Sequence, residues 1–345
     1  MTGRERMLAV LEGRKPDRIP VFPNIHFGTA RFGGMTIKEF SIDAKRNARC
    51  LIGACREFGY DAVKVGSDVT VEGEAVGSLV EFPEDNVPTV KIPFLQEPNI
   101  DKLCMPDPYK DGRMPMFLES TRIVAQTIGK DVFVASLMQG PLNCASQIRG
   151  LENLLMDFYD RPQFVEELLT FVVQLEIAFG KALIEAGADC LILGEALCSP
   201  SVISPDFYRK FVLAKEKELI GALRTAGAKH IDLHICGNIN KILTGCVETG
   251  ANILDLDWMM NVREVLQTEE IRKAGITGCG NLNPAGVLIS KNPEDVVQEA
   301  RKLLEENKEE GRFILSAGCN MQSDSVPANL RAMVEAVERY GWYVV

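Results

Sequence analysis

The amino-acid sequence predicts an α/β fold, a (β/α)8 TIM barrel with an insertion after strand 2. Three observations predict it. Short β-rich runs alternate with longer helical patterns, the signature of a parallel sheet with helical crossovers. Eight such runs can be counted. The chain has 345 residues, 46% of them hydrophobic. That is enough for the single large core of a barrel, which often runs from about 250 to over 400 residues. Residues 1–345 are therefore expected to form one domain. An open, doubly wound sheet is the alternative.

The expected strands are Arg18–Pro23, Asp61–Gly66, Val132–Met138, Asp189–Leu193, His230–Ile235, Asn252–Leu256, Gly275–Gly278 and Arg312–Ser316. Several are unbroken apolar runs, as in strands buried on both faces. Helices are expected over 38–57, 115–128, 162–186, 239–249 and 327–340. Two more start on recognisable signals. Ser204-Pro205-Asp206 reads as an N-cap followed by proline at the first helical position. Asn292-Pro293-Glu294-Asp295 reads the same way, with acids favouring the helix dipole. Residues 69–111, rich in Pro, Gly and charge, are too long for an ordinary βα loop. They are expected as a β-hairpin or lid over the barrel mouth.

Bulk properties narrow the function. The net charge is −10, with no basic run and no basic patch interleaved with aromatics, which argues against nucleic acid as a partner. The opening stretch mixes both charge signs and lacks an apolar core of signal-peptide length. The most apolar long stretch, Phe164 to Ala188, carries Glu166, Glu167, Glu176, Lys181 and Glu185, so no membrane span and a cytoplasmic location are expected. The ten cysteines include no CxxC pair and are expected to be reduced.

In such barrels the active site lies at the C-terminal ends of the strands. His26 follows the first expected strand and Asp68 the second, Met138 ends the third, and Glu195 follows the fourth. His234, Cys236 and Asn238 end the fifth, Asp255 and Asp257 the sixth, and Asn281 follows the seventh. The strongest constellation is His234, Cys236 and Cys319. Side chains at i and i+2 of a strand share a face, so His234 and Cys236 can point at one ion. Strand eight closes the barrel, and its loop can bring Cys319 as a third ligand. One imidazole and two thiolates suit Zn²⁺ and leave a fourth position open. Cys279 is a rival third ligand, with a core position the preferred reading. Glu195 is open between an exchangeable fourth ligand, a substrate contact and a solvated acid. His26, Asp68, Met138 and Asn281 are the candidate cofactor-contacting residues.

Several stretches carry a family resemblance. They are GRKPDRIPVF (13–22), VKVGSDVTVEGEAVGS (63–78), GPLNCAS (140–146), GADCLILGEALCSPSVISPDFYRKFV (187–212), LHICGN (233–238), GCGNLNP (278–284) and ILSAGCNMQSDSVPANLRAMV (314–334). In this order they resemble the uroporphyrinogen decarboxylase superfamily over nearly the whole chain. The resemblance implies further detail. Decarboxylases of the family hold substrate propionates with an arginine-rich N-terminal motif, of which NIHFGTARFGG (24–34) keeps only Arg31. Their GHG motif is AGC (317–319) here. Both departures match the methylcobamide:coenzyme M methyltransferase branch, whose zinc ligands fall on His234, Cys236 and Cys319. That branch implies a methylcorrinoid as methyl donor and a small-molecule thiol as acceptor. No corrinoid-binding D-x-H-x-x-G motif occurs in the chain, so the corrinoid is expected on a separate carrier protein. Lys64, Arg31 and Arg149 are the candidates for an acidic group on the acceptor. A homodimer stays open. The alternatives are a uroporphyrinogen decarboxylase-like enzyme, a corrinoid-dependent demethylase, or a non-catalytic zinc- or corrinoid-binding module.

Overall fold

The computed structural model describes residues 1–343 except 26, 67 and 322–325. Nine strands are present among the described residues. They are β1 (Ala62–Val65), β2 (Leu79–Glu81), β3 (Thr89–Ile92), β4 (Phe133–Gln139), β5 (Cys190–Gly194), β6 (His230–Ile235), β7 (Ile253–Leu256), β8 (Thr277–Leu282) and β9 (Phe313–Ala317). Seven of them pair in parallel in the order β1-β4-β5-β6-β7-β8-β9. Helices connect successive strands of this sheet, as parallel neighbours require. The result is an α/β fold with a seven-stranded parallel sheet.

The expected first strand, Arg18–Pro23, is not a strand. It meets its neighbours through isolated bridges, Arg18 with Trp342 and Val21 with Leu315. Pro20 and Pro23 lack the N–H a ladder needs, and the Val21 N–H is taken by the Asp61 side chain at 2.8 Å. The segment still touches both edges of the sheet. Leu315 donates to the Pro20 carbonyl at 3.0 Å, Phe22 donates to Leu315 at 2.9 Å, and Asp61 donates to Val21 at 2.9 Å. β8 runs four residues past the expected end at Gly278, with GCGNL continuing as strand.

Strand alternation divides the core. Ala62, Phe133, Ala135, Cys190, Ile192, Ile253, Cys279 and Ile314 pack together on one face with Met7, Val10 and Leu11 of helix Gly3–Leu11. The opposite face, with Val63, Val65, Val134, Leu191 and Leu193, packs on the helices. Most expected helices are present, with instructive differences. The 38–57 helix divides into Ile37–Ile42 and Ala44–Phe58. Asp43 between them leaves helical geometry (φ −125°, ψ 110°) and caps the second helix through Arg46 N–H. The 239–249 helix covers only Leu243–Glu248. Helix Pro162–Ala186 ends at Gly187, whose left-handed φ of 107° favours glycine. Among the described residues no helix is long and apolar enough to cross a membrane.

Between β1 and β4 the chain forms helix Val71–Val76, an antiparallel β2–β3 hairpin and a short turn at Ile100–Lys102.

Candidate active site

The carboxyl ends of β4, β5 and β6 open onto a cavity of about 550 Å³. Leu137 and Gln139 of β4, Gly194 of β5 and His234 of β6 line it, together with Lys64 of β1. These residues continue, towards the strand ends, the inward parity of the buried cluster below them. Val87, Pro88, Thr89 and Val90 of the hairpin form an apolar wall opposite.

On this cavity stand His234, Cys236 and Cys319, brought together as the i, i+2 spacing and the strand-eight loop anticipate. Cys236 Sγ lies 3.3 Å from His234 Nε2 and 3.7 Å from Cys319 Sγ, and Cys319 Sγ lies 3.7 Å from the same Nε2. Gly318 lets the Cys319 loop come this close, since a Cβ there would fall 2.3 Å from the Trp258 backbone nitrogen.

His234 Nδ1 lies 3.0 Å from Asp255 Oδ2, a close ionic contact although the ring N–H is not well aligned with the carboxylate. Asp255 also accepts from Asn24 Nδ2 at 3.0 Å. Burial disfavours charge on the His234 ring, but Asp255 and the two sulfurs outweigh it and hold the ring's pKa well above the ordinary value. Cys319 is held well below the usual thiol range, first by the hydrogen bond from Cys236 and then by His234 against the effect of burial. Cys236, on the other side of that bond, is raised.

Asp68 lines the cavity, as its place after the second expected strand suggested, but its carboxylate is clamped. Arg113 Nη1 and Nη2 donate to it at 2.7 and 3.0 Å, and Thr70 N–H donates at 2.9 Å. Arg113 was missed in the sequence because it lies 45 residues away, just past the segment read as an insertion.

The other expected contacts fall elsewhere. Glu195 is fully buried, and its carboxylate accepts the Leu142 and Asn143 N–H groups at 2.8 and 3.1 Å, capping helix Pro141–Arg149. It stands with Cys198 and Glu216 rather than with the His234 cluster. Gly140 makes room for it, since a Cβ there would meet Glu195 Cγ at 2.1 Å. Met138 has the outward parity of β4, and its sulfur packs on Gly180 of helix Pro162–Ala186. Asn281 donates to the Asp257 and Met260 carbonyls at 3.0 and 2.7 Å and faces a separate crevice. Cys279 is core. His26 lies outside the described residues. Of the three cations, Arg31 is exposed, Arg149 is buried against Asp157 at 2.7 Å, and Lys64 reaches the cavity.

A parallel α/β scaffold with reactive side chains gathered at the carboxyl ends of its strands is the layout of a barrel-type enzyme. The chain belongs to the uroporphyrinogen decarboxylase family, whose profile matches residues 2–340. It is 28% identical to a methylcobamide:CoM methyltransferase of Methanosarcina acetivorans, with 98% of each chain covered. It is 25% identical to a methylcobamide:CoM methyltransferase of Methanosarcina barkeri, again with 98% of each covered. Among solved structures, a methyltransferase from Methanosarcina mazei superposes with a TM-score of 0.89 at 23% identity, covering 99% of both chains.

Proposed function

We propose that this protein is a zinc-dependent methyltransferase that moves a methyl group from a methylcorrinoid to a thiol. The observation that carries the reading is the His234, Cys236 and Cys319 cluster on the cavity wall, with donor atoms 3.3 to 3.7 Å apart. Tetrahedral zinc, with bonds of about 2.3 Å to sulfur and about 2.0–2.1 Å to nitrogen, sets its ligand atoms roughly 3.5–3.8 Å apart. The three donors therefore fit the ion with small adjustments. Zinc bound by His234 Nε2 and the two thiolates would supply an open Lewis-acid position where an acceptor thiol gives up its proton.

The chain's own residues do the rest. Asp255 fixes the orientation of the His234 ring from behind. The hairpin wall of Val87, Pro88 and Val90 keeps the reacting sulfur in an apolar surround. The cavity suits a small thiol, so the macrocycle belongs at its mouth, presented by a separate corrinoid carrier protein. In the transfer a sulfur–carbon bond forms as the cobalt–carbon bond breaks, and the electron pair leaves with cobalt as Co(I).

The names of the methanogen relatives support a corrinoid donor and a thiol acceptor. Two structural readings go with this function. The segment around Val21, bonded to both edges of the sheet, completes a (β/α)8 barrel of one domain as its eighth stave. Residues 69–111 are a lid-like insertion whose hairpin covers the mouth. A decarboxylase reading is disfavoured because Arg31 is exposed and does not line the cavity.

The test is turnover. Zinc-loaded protein is mixed with methylcobalamin and a set of small thiols. Loss of the methyl-Co(III) spectrum is followed, and the S-methyl product is identified by mass spectrometry. Methylated thiol forming in step with Co(I) supports the assignment. No thiol methylation, together with carbon dioxide release from uroporphyrinogen, would replace it with the decarboxylase.

A further inference from the structure

Cys236 and Cys319 stand apart from the other cysteines of the chain. They are half-buried on the cavity wall, whereas Cys104 is exposed and every other cysteine is buried. Buried thiols in apolar surroundings are inert, because no reagent reaches them and burial disfavours the thiolate. Cys104 does not line the cavity. A small disulfide that enters the cavity therefore meets the sulfurs of Cys236 and Cys319. These lie 3.7 Å apart although 83 residues separate them in the chain. A disulfide bond is about 2.05 Å long, so an approach of roughly 1.7 Å joins them. Neither residue is inside a strand. Cys236 follows β6 and precedes Gly237, whose φ of 80° is left-handed, and Cys319 follows Gly318 beyond the end of β9. Their approach therefore leaves the ladder of the sheet untouched.

We infer that Cys236 and Cys319 form a reversible disulfide, which takes the site apart when small disulfides accumulate over thiols. One of the two cysteine thiolates attacks a small disulfide RSSR. The bond between its sulfurs breaks, RS⁻ leaves, and a mixed disulfide forms on the protein. The second cysteine thiolate attacks the protein sulfur of that mixed disulfide and expels the other RS⁻. The two cysteines lose two electrons, and RSSR gains them as it becomes two RS⁻. Of the three donors gathered on the cavity wall only His234 is then left, too few to hold zinc. Excess thiol runs the exchange backwards and restores the ligands. The disulfide rests on the cysteine pair and not on methyl transfer. Its meaning as a control rests on the thiol-acceptor reading above, because the signal is then the ratio of reduced to oxidised acceptor.

The experiment treats zinc-loaded wild type, without oxygen, with bis(2-hydroxyethyl) disulfide. Released zinc is followed with a chromophoric chelator. Remaining thiols are alkylated and counted after denaturation, and a digest made without reduction is mapped by mass spectrometry. The expected result is two fewer free thiols per chain, a cross-linked peptide pair containing Cys236 and Cys319, and about one zinc released per chain. Dithiothreitol should reverse all three. Cys104→Ser should behave as the wild type does. Cys236→Ser and Cys319→Ser should each stop at the mixed disulfide, with a hydroxyethylthio group on the remaining cysteine of the pair. Four results on the wild type would overturn the inference: all ten cysteines still free, modification confined to Cys104, a mixed disulfide that persists on Cys236 or Cys319, or a cross-link that forms while zinc stays bound. Protein that cannot be loaded with zinc would overturn the proposed function instead, and the peptide map of that metal-free protein still decides whether the disulfide forms.

Discussion

Replacing Asp255 by asparagine should weaken zinc binding while leaving the fold intact. Asp255 is buried, its Oδ2 lies 3.0 Å from His234 Nδ1, and it also accepts from Asn24 Nδ2 at 3.0 Å. Asparagine keeps the volume and one acceptor oxygen, so the His234 ring stays roughly oriented. What is lost is the negative charge that raises the basicity of Nε2. Changes to such supporting carboxylates typically cost about 10- to 100-fold in metal affinity, or about 1.4 to 2.7 kcal/mol. The assay is competition with a chromophoric zinc chelator at fixed pH and salt, with far-ultraviolet circular dichroism as the check on folding. A folded Asp255→Asn protein that holds zinc as tightly as the wild type would refute the reasoning, because Asp255 would then not be supporting a ligand.

Glu195→Gln tests the helix cap against the fourth-ligand expectation. A glutamine must turn an NH₂ towards one of the two N–H groups that Glu195 accepts, so urea denaturation should report a loss of about 1–2 kcal/mol, with zinc content unchanged. A large loss of zinc would return Glu195 to the ligand set. Arg113→Met removes the partner of buried Asp68, and breaking a buried pair from one side costs about 3–5 kcal/mol. A variant with wild-type denaturation midpoint and slope would contradict that. Burial raises the Glu72 pKa to about 7. The folded state therefore holds a proton that an unfolded glutamate loses near pH 4.3. The contribution of Glu72 is fully present below that value and falls away as pH rises through about 7, on the order of 3 kcal/mol in total. Denaturation series from pH 4.5 to 8 should show a stability decline in the wild type that is shallower in Glu72→Gln. Identical slopes would count against it.

Much of this was legible in the sequence because the signals were local. The parity that carries Phe133, Ala135 and Leu137 inward sends Met138 outward, and the same rule joins His234 with Cys236. Met138 was misjudged by position at a strand end without regard to parity. Asn281 also ends a strand, but its amide is spent on two carbonyls. The segment from Arg18 to Pro23 has strand composition, yet two prolines and the Asp61 side chain prevent a continuous ladder. Glu195 has the right place in the chain, but the N–H groups of a neighbouring helix compete for its carboxylate. The pairings of Arg113 with Asp68 and of Lys64 with Asn24 and Asn320 join distant segments. No periodicity reports such contacts.

The most direct test of the metal centre is zinc content by elemental analysis, on the wild type and on Cys319→Ala. The account predicts about one zinc per wild-type chain, lost or much weakened in Cys319→Ala, since that change leaves two of three protein ligands. A well-folded wild-type protein that is metal-free and cannot be loaded with zinc would contradict it.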